Sequence, residues 1–318
     1  MSFMRIVRTG VSGTVMTLLL GIPFAWAIDR ETAVGLGKRA EAGNRPALLD
    51  LKRYARSGDL WSEVVLGDFY RRRKESTSDW GKALFWYRKA AARGSPVAQM
   101  DVGVAYYYGQ GVPDNYVEAA DWFRRAAEQG FPAAENWMGS LYAAGQGVSR
   151  DEFMAFKWYR KAALKGDAGA STNLGEAYME GVGTARDPVK AVFWFRKSVL
   201  RGDPEAEALL GSAYKYGQGV PRDFSKAVHW YRKGATKGSV MAAYGLGICY
   251  ARGQGVSPDP ERAYSWLWVV RHAARPGSKT AMIVSRELGF LARRMTPEEV
   301  GKARRRGKEF IARRPFSF

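Results

Sequence analysis

Residues 206–238 read AEALLGSAYKYGQGVPRDFSKAVHWYRKGATKG, and the chain returns to this pattern every 36 residues. Tryptophan recurs at Trp86, Trp122, Trp158, Trp194, Trp230 and Trp266, and tyrosine at Tyr70, Tyr106, Tyr142, Tyr178, Tyr214 and Tyr250. Alanine holds the column Ala83, Ala119, Ala155, Ala191, Ala227 and Ala263, and glycine the column Gly67, Gly103, Gly139, Gly175, Gly211 and Gly247. A fixed period of this length marks stacked supersecondary units, none of which can bury its apolar face alone.

Each unit reads as two helices. The first starts after a junction glycine (Gly94, Gly130, Gly166, Gly202, Gly238) at a capping residue, often followed by proline, as in Ser95-Pro96 and Asp203-Pro204. It ends at a glycine pair such as Gly145 and Gly147, which suits left-handed backbone. The second helix opens at Asp79, Asn115, Asp151, Asp187, Asp223 or Asp259, whose side chains can accept hydrogen bonds from the free amides of the first turn. Its 3.6-residue spacing puts Ala83, Trp86, Ala90 and Ala91 on one face, where the indole is expected to fill the gap left by small residues. A glycine inside the first helix costs about 1 kcal/mol relative to alanine, so its return in every unit predicts close backbone contact.

These residues resemble the Sel1-like repeat family, relatives of the tetratricopeptide repeat. Leu174-Gly175, Tyr178, Gly181-Val182-Gly183, Asp187, Lys190-Ala191, Trp194 and Gly202 follow its motif, and the next unit, with Gly217-Gln218-Gly219-Val220 and Trp230-Tyr231-Arg232-Lys233, is closer still. The resemblance implies an all-α fold, a right-handed α/α superhelical solenoid of antiparallel helix pairs, used as a scaffold, adaptor or regulatory partner. Six repeats are expected over 62–277. Degenerate cap helices are expected at 28–61, where Ala47, Lys52, Arg53, Ala55 and Gly58 keep the register although Asp50 replaces tryptophan. Arg73 and Glu75 stand where the loop glycines of the first unit belong, and Ala274 replaces the last junction glycine. Capping helices and a basic tail are expected at 278–318, the last helix opening at the capping box Thr296-Pro297-Glu298-Glu299.

The N-terminus follows a different logic. Arg5 and Arg8 precede a short apolar run broken by Gly21 and Pro23, and Ala25-Trp26-Ala27 offers a cleavage site. These are the parts of a secretory signal peptide over 1–27, too short in its apolar run to span a bilayer. A periplasmic or secreted protein beginning at Ile28 is expected. Losing Arg5 and Arg8 takes the formal charge from +19 to +17, which favours anionic partners, and export sets nucleic acid aside.

Little chemistry is on offer. Cys249 is the single cysteine and falls in register with Ala105, Leu141, Ala177 and Ala213, so it reads as a buried structural thiol. His229 and His272 are the only histidines, too few for a soft-metal site or a histidine-based dyad. No metal, cofactor or catalytic residue is expected. The resemblance brings one enzymatic alternative, a hydrolase of β-lactamase type, known among cysteine-rich relatives whose paired cysteines this chain lacks.

Two residue sets stand outside the repeat motif. Tyr107, Tyr108 and Tyr216 are aromatics at or near the ends of first helices, Trp137 and Tyr244 depart from small or polar neighbours in register, and all five are candidates to anchor a protein partner. Arg293, Arg294, Arg304, Arg305, Arg306, Arg313 and Arg314 make the tail a candidate anion site. The columns Arg88, Arg124, Arg160, Arg196, Arg232 and Lys89, Arg125, Lys161, Lys197, Lys233 point, by helical phase, away from the alanine and tryptophan face. They read as solvated surface common to the motif, with a continuous basic ridge as the functional alternative. The expectation is a monomeric, exported, non-catalytic scaffold or regulator for protein partners in a bacterial envelope, with a binder of anionic glycan or membrane surface as the alternative.

Overall fold

Helix boundaries follow the caps. The computed structural model describes residues 27–73 and 77–313, so the leader, but for Ala27, and the tail residue Arg314 lie outside the described residues. α1 (Arg30–Glu41) and α2 (Arg45–Arg56) precede six helix pairs. These are α3 (Leu60–Arg73) with α4 (Thr77–Ala92), α5 (Pro96–Tyr108) with α6 (Tyr116–Glu128), and α7 (Pro132–Ala144) with α8 (Glu152–Leu164). There follow α9 (Ala168–Glu180) with α10 (Pro188–Val199), α11 (Pro204–Tyr216) with α12 (Phe224–Thr236), and α13 (Val240–Arg252) with α14 (Pro260–Ala273). α15 (Lys279–Ala292) and α16 (Pro297–Arg313) close the array, and no strand occurs among the described residues.

Asp151, Asp187, Asp223 and Asp259 each accept a backbone N–H of the following first turn, and Asn115 accepts two. Asp79 departs from the expectation: α4 begins at Thr77, and Asp79 lies inside its first turn, 3.4 Å from Lys82 Nζ. Of each loop's glycine pair the first, as at Gly145 (φ 68°), ends the helix in the left-handed region. The second serves the neighbouring unit. A Cβ on Gly147 would collide with the carbonyl of Tyr116, at the start of the preceding second helix.

The glycine inside each first helix meets a large apolar side chain, a ring in all but the last unit, though not the tryptophan. Gly67, Gly103, Gly139, Gly175, Gly211 and Gly247 face Tyr87, Phe123, Tyr159, Phe195, Tyr231 and Leu267, the residues one place after the indoles. A Cβ at Gly175 would stand 2.5 Å from the Phe195 ring. Phe123 and Phe195 are fully buried, which contributes about 2–3 kcal/mol each. Of the tryptophan column only Trp266 is buried; the others sit half-exposed at the unit boundary. The expectation that the indole fills the gap is corrected accordingly: its aromatic neighbour takes the deep position and the indole covers the seam.

A second pattern ties the two helices of a unit together. Glu63, Glu135 and Glu207 are buried on their first helices, and each meets a cation thirty residues on: Arg93 at 3.5 Å, Lys165 at 2.6 Å and Lys237 at 2.7 Å. In the unit where the column holds Gln99 the partner is Gln129, at 2.7 Å, and Gln99 in turn donates to the Ala91 carbonyl. Where it holds Ala243, the partner position is Ala273. Ser171 is the exception: Arg201 stands thirty residues on, and the serine hydroxyl donates instead to the Asp167 carbonyl. In the other units charge meets charge, amide meets amide and methyl meets methyl, because a buried ion left alone is far costlier than any of these matched pairs.

Candidate functional site

First helices of neighbouring units touch, α7 with α9 and α11 with α13, while consecutive second helices of the regular array make no comparable contact. The first helices therefore lie on the inside of the curve. On that side the structure gathers Tyr107, Tyr108 and Trp137 into one cluster. Tyr107 lies 4.8 Å from Tyr108 and 5.0 Å from Trp137, ring centre to ring centre, and its hydroxyl donates to Gln146. Trp137 stacks parallel on Phe123 at 5.0 Å, so it is fixed from below. Tyr116, which the sequence did not single out, joins at 5.1 Å from Tyr107. Tyr108 is left 57% exposed, and the cluster presents a rigid aromatic surface.

Tyr216 and Tyr244 lie apart from that cluster, on α11 and α13. Both have large exposed surfaces, and their hydroxyls share one electrostatic neighbourhood. Burial raises the Tyr244 hydroxyl above the ordinary tyrosine range, with Glu287 adding and Arg252 opposing.

The sequence reading missed the carboxylates between these aromatics. Asp68 accepts hydrogen bonds from Tyr87 and Arg71, and Asp101 beside them is pushed up to about 7 by burial, with Asp68 adding and Arg71 opposing. Farther along, Glu176 is pushed up to about 7 by burial and then by Glu180, Glu205 and Asp203. A pairing rule exposes its oddity. Tyr87, Tyr159 and Tyr231 reach Asp68, Ser140 and Ser212 nineteen residues earlier. Phe123 and Leu267 sit opposite Val104 and Ile248 in the same register. Glu176 alone has a phenylalanine, Phe195, where its hydroxyl partner belongs. That mismatch was legible in the 36-residue columns.

The basic columns do not stand clear of the aromatic surface as helical phase predicts. Lys89, Arg125, Lys161 and Lys233 lie over Trp86, Trp122, Trp158 and Trp230 at 4.5–5.1 Å from the ring centres. Arg88, Arg196 and Arg232 donate to the hydroxyls of Tyr106, Tyr214 and Tyr250 in the next unit. Each cation–π contact is worth about 0.5–1 kcal/mol at such exposed sites, and the ridge is largely fabric of the seams. The tail is likewise folded. Thr296 and Glu299 exchange the capping-box hydrogen bonds, and α16 packs on α14. Arg304 donates to Tyr264, Arg306 and Lys302 pair with Glu261, and Arg294 lies 5.8 Å from the Phe290 ring centre. Arg305 and Arg313 are exposed, and Arg293 lines a groove with Arg252 and Arg286. Cys249 is fully buried, and burial raises its thiol.

Stacked helix pairs with an inner face of substituted first helices define an α/α solenoid repeat protein. The Sel1 repeat profile matches residues 66–95, 96–131, 132–167, 168–203, 204–239 and 240–267, and the chain belongs to the Sel1 repeat family. Proteins of this family generally mediate protein–protein interaction. The chain is similar to a Sel1 repeat protein from Oxalobacter formigenes, at 36% identity over 76% of this chain and 100% of that one, with a TM-score of 0.70. It is also similar to c5321, a protective antigen of uropathogenic Escherichia coli with an SLR fold, at 22% identity over 89% of this chain and 92% of that one (TM-score 0.46). Cysteine rich protein B of Helicobacter pylori aligns at 23% identity over 43% of this chain and 98% of that one (TM-score 0.36). No curated protein matches the chain.

Proposed function

We propose that this chain is an exported, non-catalytic scaffold or adaptor that holds a protein partner on its inner face in the bacterial cell envelope. The observation that carries the reading is the Tyr107, Tyr108 and Trp137 cluster, locked from below by Phe123 and exposed at Tyr108, with no aromatic in any other unit in the register of Tyr107 or Trp137. Rigid aromatic surface with little rotamer freedom to lose is what anchors partners at interfaces. Export rests on the charged, apolar and A-x-A segments of residues 1–27.

A photo-crosslinking phenylalanine analogue placed at position 108 or 244 tests both parts of the reading. Irradiation of intact cells is expected to join the same partner at both positions and none at the convex position 160. Absence of any adduct at 108 and 244 refutes the partner reading. Recovery of the protein from the cytoplasm with residue 1 intact refutes export, for which N-terminal sequencing is expected to begin at Ile28.

A further inference from the structure

α13 and α15 both pack on α14, and a groove runs between them. The period would start the helix after α14 at residue 276; the lost junction glycine and Pro276-Gly277 delay it to Lys279. At the N-terminal end of both helices the groove deepens into a cavity of about 400 Å³ walled by Val240, Met241, Tyr244, Val270 and Ile283. Met241 and Ile283 are 44% and 42% exposed, an apolar surface with nothing over it among the described residues. Glu205 of α11 closes this end, hydrogen-bonded by Ser239 and half-buried beside Asp203. At the C-terminal end the same two helices enclose a wider cavity of about 620 Å³ lined by Arg252, Arg286, Arg293, Glu287 and the exposed ring of Phe290. The groove thus has a carboxylate at one end, apolar walls within it, and three guanidiniums against one carboxylate at the other.

We propose, resting on the partner reading above, that this groove receives an extended segment of the partner protein carrying a basic side chain, an apolar side chain and a carboxylate in that spatial order. The basic group meets Glu205, the apolar side chain fills the cavity between Met241 and Ile283, and the carboxylate lies among Arg252, Arg286 and Arg293. α13 has 13 residues and so spans about 20 Å, a length that about six extended residues cover. The charge pattern selects this occupant over a polyanion. A glycan or lipid surface would be drawn to the arginines and repelled at Glu205, and its headgroups offer nothing to the apolar cavity. Charge pairs at the two ends fix direction and register, while the buried apolar group supplies affinity.

The test is selection of a phage-displayed random heptapeptide library on the full mature chain, followed by fluorescence polarisation of the enriched peptides with labels attached. Enriched peptides are expected to share a basic residue, an apolar residue and an acidic residue or C-terminal carboxylate spread over about six positions. Met241→Glu with Ile283→Glu, both at exposed positions and checked for helicity, is expected to weaken binding at least about tenfold. Glu205→Lys is expected to remove the preference for the basic residue alone, and Arg286→Glu with Arg293→Glu the preference for the carboxylate alone. Peptides without this charge order, peptides that bind the double glutamate variant equally well, or no enrichment at all would each overturn the proposal. Crosslinks at position 108 that persist in the Met241→Glu, Ile283→Glu variant leave the partner reading standing while the groove falls; loss of crosslinks from the unmodified chain ends the reading itself.

Discussion

The ion pair between Glu207 and Lys237 offers a measurable test of how the two helices of a unit are held together. Glu207 is 2% exposed and Lys237 37%, with Nζ 2.7 Å from Oε1. At an effective dielectric constant of about 20 the Coulomb attraction at this distance is about 6 kcal/mol, much of it cancelled by the cost of drying the carboxylate. The two ends of the pair are therefore unequal. Lys237→Met strands a buried ion and is expected to cost about 2–4 kcal/mol, at the lower side of the range for buried pairs because the lysine is partly wet. Glu207→Gln leaves an ammonium that can turn to water, and a loss of about 1–2 kcal/mol is expected. The double variant Glu207→Gln with Lys237→Gln reproduces the pair that Gln99 and Gln129 already form. By register the carbonyl of Val199 stands where Ala91 accepts from Gln99, so the new amide has a partner. The double variant is expected within about 1 kcal/mol of the parent, a smaller loss than Lys237→Met alone although it changes both residues. Urea unfolding followed by far-UV circular dichroism at pH 7, with hydrogen exchange in α11 to α13 to catch local opening, measures this. Equal losses for the two single variants, or a double variant as weak as Lys237→Met, would refute the reasoning.

Three further outcomes follow from the inner face and the seams. Asp101 is raised to about 7 by burial, so the folded state holds its proton between roughly pH 4 and 7 when the unfolded chain has lost it, and stability falls as pH rises through that window. Asp101→Asn is accordingly expected to raise the thermal midpoint at pH 8 and leave it unchanged at pH 4; equal effects at both would exclude the carboxyl as the cause. Phe195→Tyr supplies the hydroxyl that Glu176 lacks, on the pattern of Tyr87 with Asp68; it is expected to stabilise the chain by about 1 kcal/mol and to lower the Glu176 carboxyl, read by carbon-13 NMR titration. Gly175→Ala gains about 1 kcal/mol of helix propensity but puts a methyl 2.5 Å from the Phe195 ring, beside the Ala191 carbonyl; a net loss of about 1–2 kcal/mol is expected, and a gain in thermal midpoint would show that the ring can give way.

Repetition carried much of this protein in plain view. The 36-residue columns, the alternation of capping residues with glycine pairs, and the capping box at Thr296 fix which segments are helical and in what order, because those signals act over a few residues along the chain. The aromatic candidates were visible for the same reason, as departures from a column, and so was the lone phenylalanine opposite Glu176 once two columns are compared. What lay between one helix and the next was not visible. Whether Trp86 or Tyr87 fills the space over Gly67 depends on about 100° of helix rotation, and a stripe pattern read from one helix does not say which flank its neighbour takes. The buried glutamates look like ordinary charged surface in sequence, since their cations stand thirty residues away, at the end of the second helix of the same unit. The groove between α13 and α15 exists only because a delayed helix leaves two neighbours resting on α14 with apolar and charged residues facing the gap, and only the packing of three helices decides that.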